Sequence, residues 1–469
     1  MANGTVSNAA VDFHVGRVVQ LTFVAALGGF LFGYDTAVIN GAVSAMAESF
    51  GLNAFATGFA VSSALLGCMV GALLAGNLAA RIGRVRVMII AAVLFVVSAL
   101  GSGLAFGVVD LIIWRIVGGI GIGAASVIAP AYIAEVSPAH VRGRLGSMQQ
   151  MAIVIGIFMS LLVDFVIALD ANGADSKYWL GLDAWRWMFI AAVVPALVYG
   201  LLAFTIPESP RFLVQSGQET RARNVLSSIL GEGIDERISE IKKTIRTDKK
   251  SSFRDVLRPG GLNFQAIVWV GIILSVFQQF VGINVIFYYS TTLWQAAGFN
   301  ENDSFTITVL TSVTNVVVTA VAIVLIDKIG RRKLLLIGSA GMFVSLTIMT
   351  LCFTVGLDTS ASTVSLIPGY DLTALLSANA FVVFFGMSWG PGVWVLLGEM
   401  FNNRIRSIAL GIAASAQWLA NFAISTTFPA MANVGLWFAY GFYALAALAS
   451  FFFVLRFITE TKGRELEDM

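Results

Sequence analysis

Twelve long apolar runs constrain the fold of this chain more than any other feature of its sequence. Each run has about 20 residues or more, which is enough for a helix to cross a hydrocarbon layer roughly 30 Å thick. The chain is 58% hydrophobic and only 12% charged, so it lacks the charged surface of a soluble protein. We therefore predict an all-α membrane protein whose spans cover residues 18–41, 57–79, 87–106, 109–134, 145–169, 185–206, 264–290, 304–327, 333–355, 373–400, 407–428 and 434–458.

The positions of the basic residues predict how these spans are oriented. An even number of spans leaves both termini on one side of the membrane. That side holds all of the 29 Lys and Arg residues except Lys177, Arg186 and Arg115, the last of which lies within a span. Because basic loops stay in the cytoplasm, we expect a multi-pass protein of the cell (plasma or inner) membrane with both termini cytoplasmic.

The chain divides into two related halves joined by a charged segment. Glu135 precedes Arg142 by seven residues after the fourth span, and the same spacing recurs after the tenth span. The loops AARIGRVRV and IDKIGRRKLL also match. Duplicated six-helix halves are the plan of alternating-access transporters, whose site lies at mid-membrane between the halves. We predict a first half at 1–206, a small cytoplasmic helical domain at 207–263, and a second half with a short cytoplasmic tail at 264–469.

Several motifs resemble those of the sugar porter family of the major facilitator superfamily. They are PESPRFLV, FQQFVGINVIFYYS, RIVGGIGIG, SWGPGVW, AQWLAN and the paired IGR loops. The resemblance runs from Gly28 to Gly463 and is closest to bacterial symporters that carry D-xylose or glucose with a proton. It implies the major facilitator fold, with twelve transmembrane helices in two pseudo-symmetric halves, and import of a monosaccharide by alternating access.

Amide side chains inside the apolar spans are candidates for holding a sugar. A sugar presents hydroxyls on all sides, and an amide both donates and accepts hydrogen bonds. Gln278, Asn315 and Gln417 lie at similar depths, roughly 15 to 21 Å from the ends of their spans by helix rise. Helical spacing also puts Asn284 and Tyr288 on broadly the same face as Gln278, with Gln279 about 100° away.

The resemblance assigns sugar contacts to this set and enlarges it. The residues it implicates are Gln150, Gln278, Gln279, Asn284, Tyr288, Asn315, Gly390, Trp394, Gln417 and Trp418. The alternative is that the amides only hydrogen-bond one helix to another, as polar residues in membranes often do.

The resemblance also implies a network of salt bridges that closes the cytoplasmic side in the outward-open state. Its members are Arg84, Glu135, Arg142, Glu208, Asp327, Arg331, Arg332, Glu399, Arg406 and Glu460. This chain departs from the family pattern at Ala80, Val85, Ser407 and Thr459, so its closure on the first half is expected to be weaker.

Asp35 and Arg115 form the one oppositely charged pair that we identify well inside the spans. Each lies six residues from the outer end of its predicted span, which puts both about 9 Å deep. A charge in hydrocarbon is costly unless it is paired or faces water, so it is a functional hypothesis by default. Arg is permanently charged, whereas Asp35 can bind a proton when its surroundings change. We predict that this pair couples transport to protons.

Other interpretations remain open at this point. A purely structural ion pair is one alternative. A facilitative uniporter shares nearly every other motif, and Asp35 separates it from a symporter, because the uniporters of the family commonly have a neutral residue at that position. Some bacterial symporters carry a second carboxylate at the position of Ala192, which this chain lacks. A sugar sensor that binds without transporting is a more distant alternative.

The sequence favours neither an enzyme nor a cofactor-dependent protein. His14 and His140 are isolated, and Cys68 and Cys352 lie in apolar runs, so we expect no catalytic residues, no metal site and no cofactor. The expected partners are a monosaccharide, protons and the lipid bilayer, without nucleic acid, and we expect a monomer.

Overall fold

The computed structural model describes residues 13–138, 141–247, 253–258, 263–358, 365–401 and 405–460. The side chains at 142–144, 246–247, 253–254, 326–327, 358 and 406–407 lie outside this description. Three of the predicted salt-bridge residues are among them, namely Arg142, Asp327 and Arg406.

Within the described residues, twelve helical stretches are long and apolar enough to cross a membrane, which agrees with the predicted number of spans. The first six stretches are built from eight helices, because the first and the sixth are each interrupted once. These helices are α1 (Val15–Ala37), α2 (Ile39–Ser49), α3 (Ala54–Ile82), α4 (Arg84–Gly103), α5 (Val108–Val136), α6 (Arg142–Ala171), α7 (Ala184–Ala191) and α8 (Val193–Ala203).

Three short helices follow and form the linker between the halves. They are α9 (Pro210–Gln215), α10 (Glu219–Ile229) and α11 (Ile234–Thr247), and a 3-10 turn covers Phe253–Val256. The linker lies against the first half, where the backbone amide of His14 donates a hydrogen bond of 2.9 Å to the carbonyl oxygen of Ile229. We call this end of the molecule the linker side and the other end the opposite side.

The second half repeats the plan of the first with its own interruptions. Its helices are α12 (Ala266–Phe280), α13 (Ile283–Tyr288), α14 (Ser290–Ala296), α15 (Glu301–Ile329), α16 (Arg331–Val355), α17 (Tyr370–Met387), α18 (Trp389–Met400), α19 (Arg406–Val434) and α20 (Leu436–Phe457). A two-stranded antiparallel hairpin of β1 (Leu357–Asp358) and β2 (Ser365–Leu366) lies between α16 and α17.

Glycines let the helices of the first half pack closely. A Cβ atom added to Gly119 of α5 would lie 1.9 Å from the carbonyl oxygen of Ala64 in α3, and one added to Gly33 of α1 would lie 2.0 Å from that of Ile153 in α6. Small residues that permit such backbone contact are a common means of holding membrane helices together. These contacts fix α1 and α5, and therefore the two charged residues that they carry.

The first span is longer than predicted. Its helix α1 gives way at Val38 to α2, which ends at Ser49, eight residues beyond the predicted limit. Hydropathy underestimates this length because Glu48 is exposed while Met46 on the same helix is fully buried. Fourteen residues, or about 21 Å of helix, therefore separate Asp35 from the end of the span, where the predicted span has six.

The seventh span is not one continuous helix. It breaks at Gly282, whose φ of 86° lies in the left-handed region, and again at Tyr289. The ring of Tyr443 lies 2.6 Å from where a Cβ atom on Gly282 would be, so a side chain there would clash with it. Because helical spacing does not carry across such a break, it does not determine how Asn284 and Tyr288 lie relative to Gln278 and Gln279, which stay in the regular helix α12.

Candidate functional site

The structure brings Asp35 of α1 and Arg115 of α5 together inside the first half. Nη1 of Arg115 lies 3.4 Å from Oδ2 of Asp35 and donates a hydrogen bond of 3.1 Å to its backbone oxygen. Both residues are almost fully buried, and Nε of Arg115 has no hydrogen-bond partner. The guanidinium also lies 5.7 Å from the ring centre of Phe189. The pair is thus long and only partly satisfied, so a small movement of α1 would separate the charges.

A chain of amides occupies the break in the seventh span. Nδ2 of Asn284 donates to Oε1 of Gln279, whose own Nε2 donates to Oε1 of Gln278 at 3.3 Å. Gln278 in turn donates to the backbone oxygen of Trp389, 3.1 Å away in the interrupted tenth span. The broken helix therefore links amides on both sides of Gly282 and connects them to α18.

Other polar side chains from α15 and α19 are buried in the same half. Gln417 and Asn315 are 8% and 7% exposed, and Oε1 of Gln417 has no hydrogen-bond partner. Nδ2 of Asn421 donates to the hydroxyl of Tyr288 at 3.4 Å. An unpartnered buried amide oxygen is costly, so Gln417 offers an acceptor to a hydroxyl that enters the site.

Aromatic side chains connect this polar region to the first half. The ring of Trp418 packs against Phe32, three residues before Asp35, with ring centres 5.5 Å apart. Tyr288 interacts electrostatically with both Asp35 and Arg115. The charged pair and the amides therefore lie within electrostatic reach of each other across the boundary between the halves.

On the opposite side, the two halves touch through hydrogen bonds. Nδ2 of Asn40 donates to the carbonyl oxygen of Phe287 at 2.7 Å, and the hydroxyl of Thr291 donates to Oδ1 of Asn40 at 2.9 Å. The hydroxyls of Ser62 and Thr426 are 2.6 Å apart. Asn40 is 1% exposed and Ser62 is 0% exposed, so these contacts exclude water.

A third set of contacts on that side joins α6 and its loop to α15. The rings of Phe165 and Phe305 lie 6.3 Å apart, and the backbone amide of Ala174 donates to Oε1 of Glu301 at 3.0 Å. We call these contacts, together with those of Asn40 and of Ser62, the contact layer. It comprises Asn40, Ser62, Phe165 and Ala174 from the first half and Phe287, Thr291, Glu301, Phe305 and Thr426 from the second.

On the linker side, matching ion pairs lie within each half. Arg84 and Glu135 form a two-point salt bridge of 2.9 and 3.0 Å, and Ser209 also donates to Glu135. In the second half Arg331 pairs with Glu399 at 2.9 Å. Among the side chains that the structure describes, the predicted network thus includes one such cluster in each half, as the sequence repeat indicates.

Two further members of the predicted network bind helix ends. Oε1 of Glu208 accepts a hydrogen bond of 2.9 Å from the amide of Arg84, the first residue of α4. Glu460 accepts one of 2.9 Å from Arg331, the first residue of α16. Arg332 directs its Nη2 to the backbone oxygen of Leu455 at 2.8 Å.

Comparison with known proteins agrees with this architecture. The profile of the family described as "Sugar (and other) transporter" matches residues 21–469. The chain belongs to the sugar transporter family. The glucose transport protein of Synechocystis is 55% identical over 459 residues, 97% of each chain. The D-xylose-proton symporter of Escherichia coli is 38% identical over 492 residues, 98% of this chain and 96% of the relative.

A solved structure shares the fold of this transporter. The xylose transporter XylE of Escherichia coli, in a partially occluded inward-open conformation, superposes with a TM-score of 0.81. It is 37% identical, and the match covers 96% of this chain and 100% of the other. The predicted major facilitator fold, with twelve spans in two halves, is thereby confirmed, and the protein is a transporter and not an enzyme.

The remaining predicted sugar contacts of this transporter differ in exposure. Trp394 is 41% exposed, whereas Trp418 is 8% exposed. Gly390 offers its backbone oxygen, which lies 3.4 Å from Nε2 of Gln278. Gln150 is half-buried, but its neighbour Gln149 is buried with an unpartnered Oε1 beside Gly29. The structure therefore draws attention to Gln149, which the sequence analysis did not name.

Sequence reasoning also missed Asp164 in α6. It is 0% exposed and neither carboxylate oxygen has a hydrogen-bond partner. The signal was present, because an acid in the run SLLVDFVIAL stands out as much as Asp35 does in its own span. Pairing by opposite charge does not reveal it, because Arg115, the basic residue well inside the predicted spans, is already matched to Asp35.

Proposed function

We propose that the protein imports a monosaccharide together with protons by alternating access, with Asp35 as the group that binds the transported proton. The observation that carries this proposal is the buried pair of Asp35 and Arg115 at 3.4 Å, beside the amides of the second half. A charged side chain costs about 2.5 to 3.5 kcal/mol inside a membrane, so an unneeded pair would be a liability.

The coupling follows from the pairing of Arg115 with Asp35. When Asp35 is ionised it attracts Arg115, and when it binds a proton the arginine is released from that attraction. Tyr288 lies within electrostatic reach of both charges, and its hydroxyl accepts a hydrogen bond from Asn421 on α19. A proton on Asp35 therefore alters the field at the amide site, and a bound sugar in turn alters the stability of the ionised pair.

We propose that the sugar lies among Gln278, Gln279, Asn284, Gln417 and Trp418, with glucose or D-xylose as the cargo. The amides offer donors and acceptors from the three helices α12, α13 and α19, and Trp418 offers a flat apolar face to a sugar ring. The names of the Synechocystis and Escherichia coli relatives support these two sugars. Competition of unlabelled glucose, xylose and galactose against labelled glucose uptake tests the choice.

We further propose that the linker side is cytoplasmic, with both termini there, and that the protein acts as a monomer. With the contact layer closed, the opposite side is the outer side and the conformation faces inward. Ser227 on α10 and Asn302 on α15 are exposed positions on the two sides. In intact cells a membrane-impermeant thiol reagent should label Asn302→Cys at once, and Ser227→Cys only after lysis.

The proton proposal is tested by uptake into proteoliposomes with and without an inward proton gradient. We expect the wild type to accumulate sugar only when the gradient is present. Asp35→Asn should fail to accumulate sugar but should still exchange labelled for unlabelled sugar. A wild type that merely equilibrates sugar whatever the gradient would make the protein a uniporter and overturn the proposal.

A further inference from the structure

Among the described residues of the first half, Asp164 is the buried acidic side chain that the proposed coupling does not use. It lies on α6, seven residues before the outer end of that helix, at a depth of about 10 Å. Its Cβ is 2.8 Å from where a Cβ atom on Gly41 would be, and so is the sulfur of Met188 on α7. The carboxyl group is therefore enclosed between α6, α7 and the start of α2.

The carboxyl group of Asp164 has no basic side chain as a partner in this conformation. Neither oxygen accepts a hydrogen bond of good geometry, and the backbone amide of Gly41 is the one group beside it that favours its charged form. The guanidinium of Arg115 is directed to Asp35. An ionised carboxylate buried without a partner carries a heavy penalty, so Asp164 holds a proton while the contact layer is closed.

The groups that face Asp164 come from four helices. Tyr34 on α1 interacts electrostatically with both Asp164 and Asp35. The start of α2 presents the backbone of Gly41 and α7 the thioether of Met188. Farther out, Arg186 of α7 donates to the carbonyl oxygens of Gly103 and Ala105, and Glu301 of α15 accepts from the amide of Ala174. These two charged groups are thus engaged elsewhere.

Asp164 is distinct from the site at Asp35. The contact of Gly33 with Ile153, together with that of Gly41 with Asp164, sets the register of α1 against α6. By this register Asp164 lies about six residues, or roughly 9 Å, farther out than Asp35. One turn deeper on the same helix, the hydroxyl of Ser160 is also buried without a partner.

The contact layer is joined directly to the surroundings of Asp164. Gly41 follows Asn40, whose side chain holds α2 against Phe287 and Thr291 of the second half. On the same stretch of α6, Phe165 follows Asp164 and packs on Phe305. Opening of the layer must move α2 or α6 relative to the second half, so the packing that shields Asp164 depends on closure.

From this arrangement we propose that Asp164 is a second proton-binding site, which must be protonated for the contact layer to close. Water from the outer side supplies this proton to a carboxylate oxygen when the layer is open. The proton stays bound while the transporter faces inward and returns to the same side on reopening. Asp164 therefore makes closure sensitive to external pH, whereas the transported proton travels on Asp35. The proposal rests on the proposed transport cycle.

The test compares sugar exchange at equal pH on both sides, from acidic to alkaline conditions, in wild type, Asp164→Asn and Asp164→Glu. Above the pH at which Asp164 ionises, wild-type exchange should fall by up to about tenfold per pH unit, because only the protonated form closes. Asp164→Asn should keep its exchange rate at alkaline pH, and Asp164→Glu should retain the fall. Asp170→Asn is the matched control, an exposed acid on the same helix that should behave as wild type.

The same comparison in chains that carry Asp35→Asn removes the contribution of the transported proton. An alkaline fall that persists unchanged in Asp164→Asn would overturn the inference. Sugar accumulation driven by the proton gradient is measured in parallel. If the wild type does not accumulate sugar, the proposed symport is overturned, and the pH dependence of exchange still tests the role of Asp164.

A conformational measurement covers the case in which Asp164→Asn does not transport. Ser62→Cys, in a chain with Cys68→Ser and Cys352→Ser, places a thiol in the contact layer. Its reaction with an impermeant thiol reagent from outside is expressed relative to that of the exposed Asn302→Cys at the same pH, so that ionisation of the thiol itself cancels. This relative rate should rise with pH when Asp164 is present, and should stay low at all pH values in Asp164→Asn. Equal acceleration in both chains would refute a role for Asp164 in closure.

Discussion

Glu208 and Glu460 occupy equivalent positions in the two halves. Each accepts hydrogen bonds from the first two backbone amides of a helix, at 2.9 and 3.2 Å in both cases. The helices α4 and α16 follow glycines with φ of 100° and 97°. A carboxylate at a helix N-terminus satisfies free amides and complements the helix dipole. The duplicated halves therefore share this capping interaction as well as their sequence motif.

Glu208→Gln should lower the stability of the first half. A neutral amide keeps the shape but loses the charge, and charges at helix N-termini contribute about 0.3 to 1 kcal/mol, with up to about 2 kcal/mol in partly buried sites. We expect a loss of about 1 kcal/mol in the free energy of unfolding, measured by denaturant unfolding of the purified protein in detergent. Glu232→Gln, an exposed change in the linker, is the control, and an equal loss there would contradict the role of the cap.

Asn40→Ala should weaken closure of the contact layer. The side chain of Asn40 donates to Phe287 and accepts from Thr291, and these bonds exist only while the halves touch at this end. Their loss leaves buried groups unsatisfied, at about 1 to 3 kcal/mol, which favours the outward-open state. Labelling of Ser62→Cys from outside should accelerate about tenfold or more. Ser44→Ala, at the exposed rim, should change it little, and comparable rates in the two variants would refute the importance of Asn40.

Gln417→Ala should weaken sugar binding more than it weakens the fold. Oε1 of Gln417 is buried without a partner, so its removal relieves an unsatisfied acceptor in the empty protein. In the loaded protein the same change removes a hydrogen bond to the sugar. We expect KM for uptake to rise about tenfold, equivalent to about 1.4 kcal/mol, with little change in thermal stability. Thr427→Ala, farther along α19 on its exposed side, should leave KM unchanged; a lower KM in Gln417→Ala would exclude this residue from the site.

Hydropathy and charge were sufficient to predict the architecture. Apolar length alone determines how many helices can cross a bilayer, so the twelve spans and the two halves could be read directly. Asp35 and Arg115 could be paired because each is conspicuous in an apolar run. The predicted end of the first span was wrong, since the helix after Asp35 continues to Ser49, but the structure does bring the two residues together.

What the sequence could not supply is the phase of each helix against its neighbours. The break at Gly282 resets the helical phase, so the contact of Asn284 with Gln279 could not be read from regular spacing. Asn40 reads as a polar residue near a span end, and only contact with the second half gives it a role. Asp164 stands out in the sequence, but only the folded structure shows that no side chain pairs with it.

Gly282→Ala should damage the amide site through the backbone. A left-handed φ of 86° costs an L-residue about 1 to 2 kcal/mol, and the added methyl group would lie 2.6 Å from the ring of Tyr443. The break would then shift or straighten, which separates Asn284 from Gln279. We expect both a fall in thermal stability and a loss of sugar affinity of about tenfold or more.

Gly411→Ala is the matched control, because this helical glycine has nothing within 4 Å of the added atom and alanine favours helix by about 1 kcal/mol. Equal sugar affinity in Gly282→Ala and Gly411→Ala would refute the claim that the break in the seventh span brings the amides together.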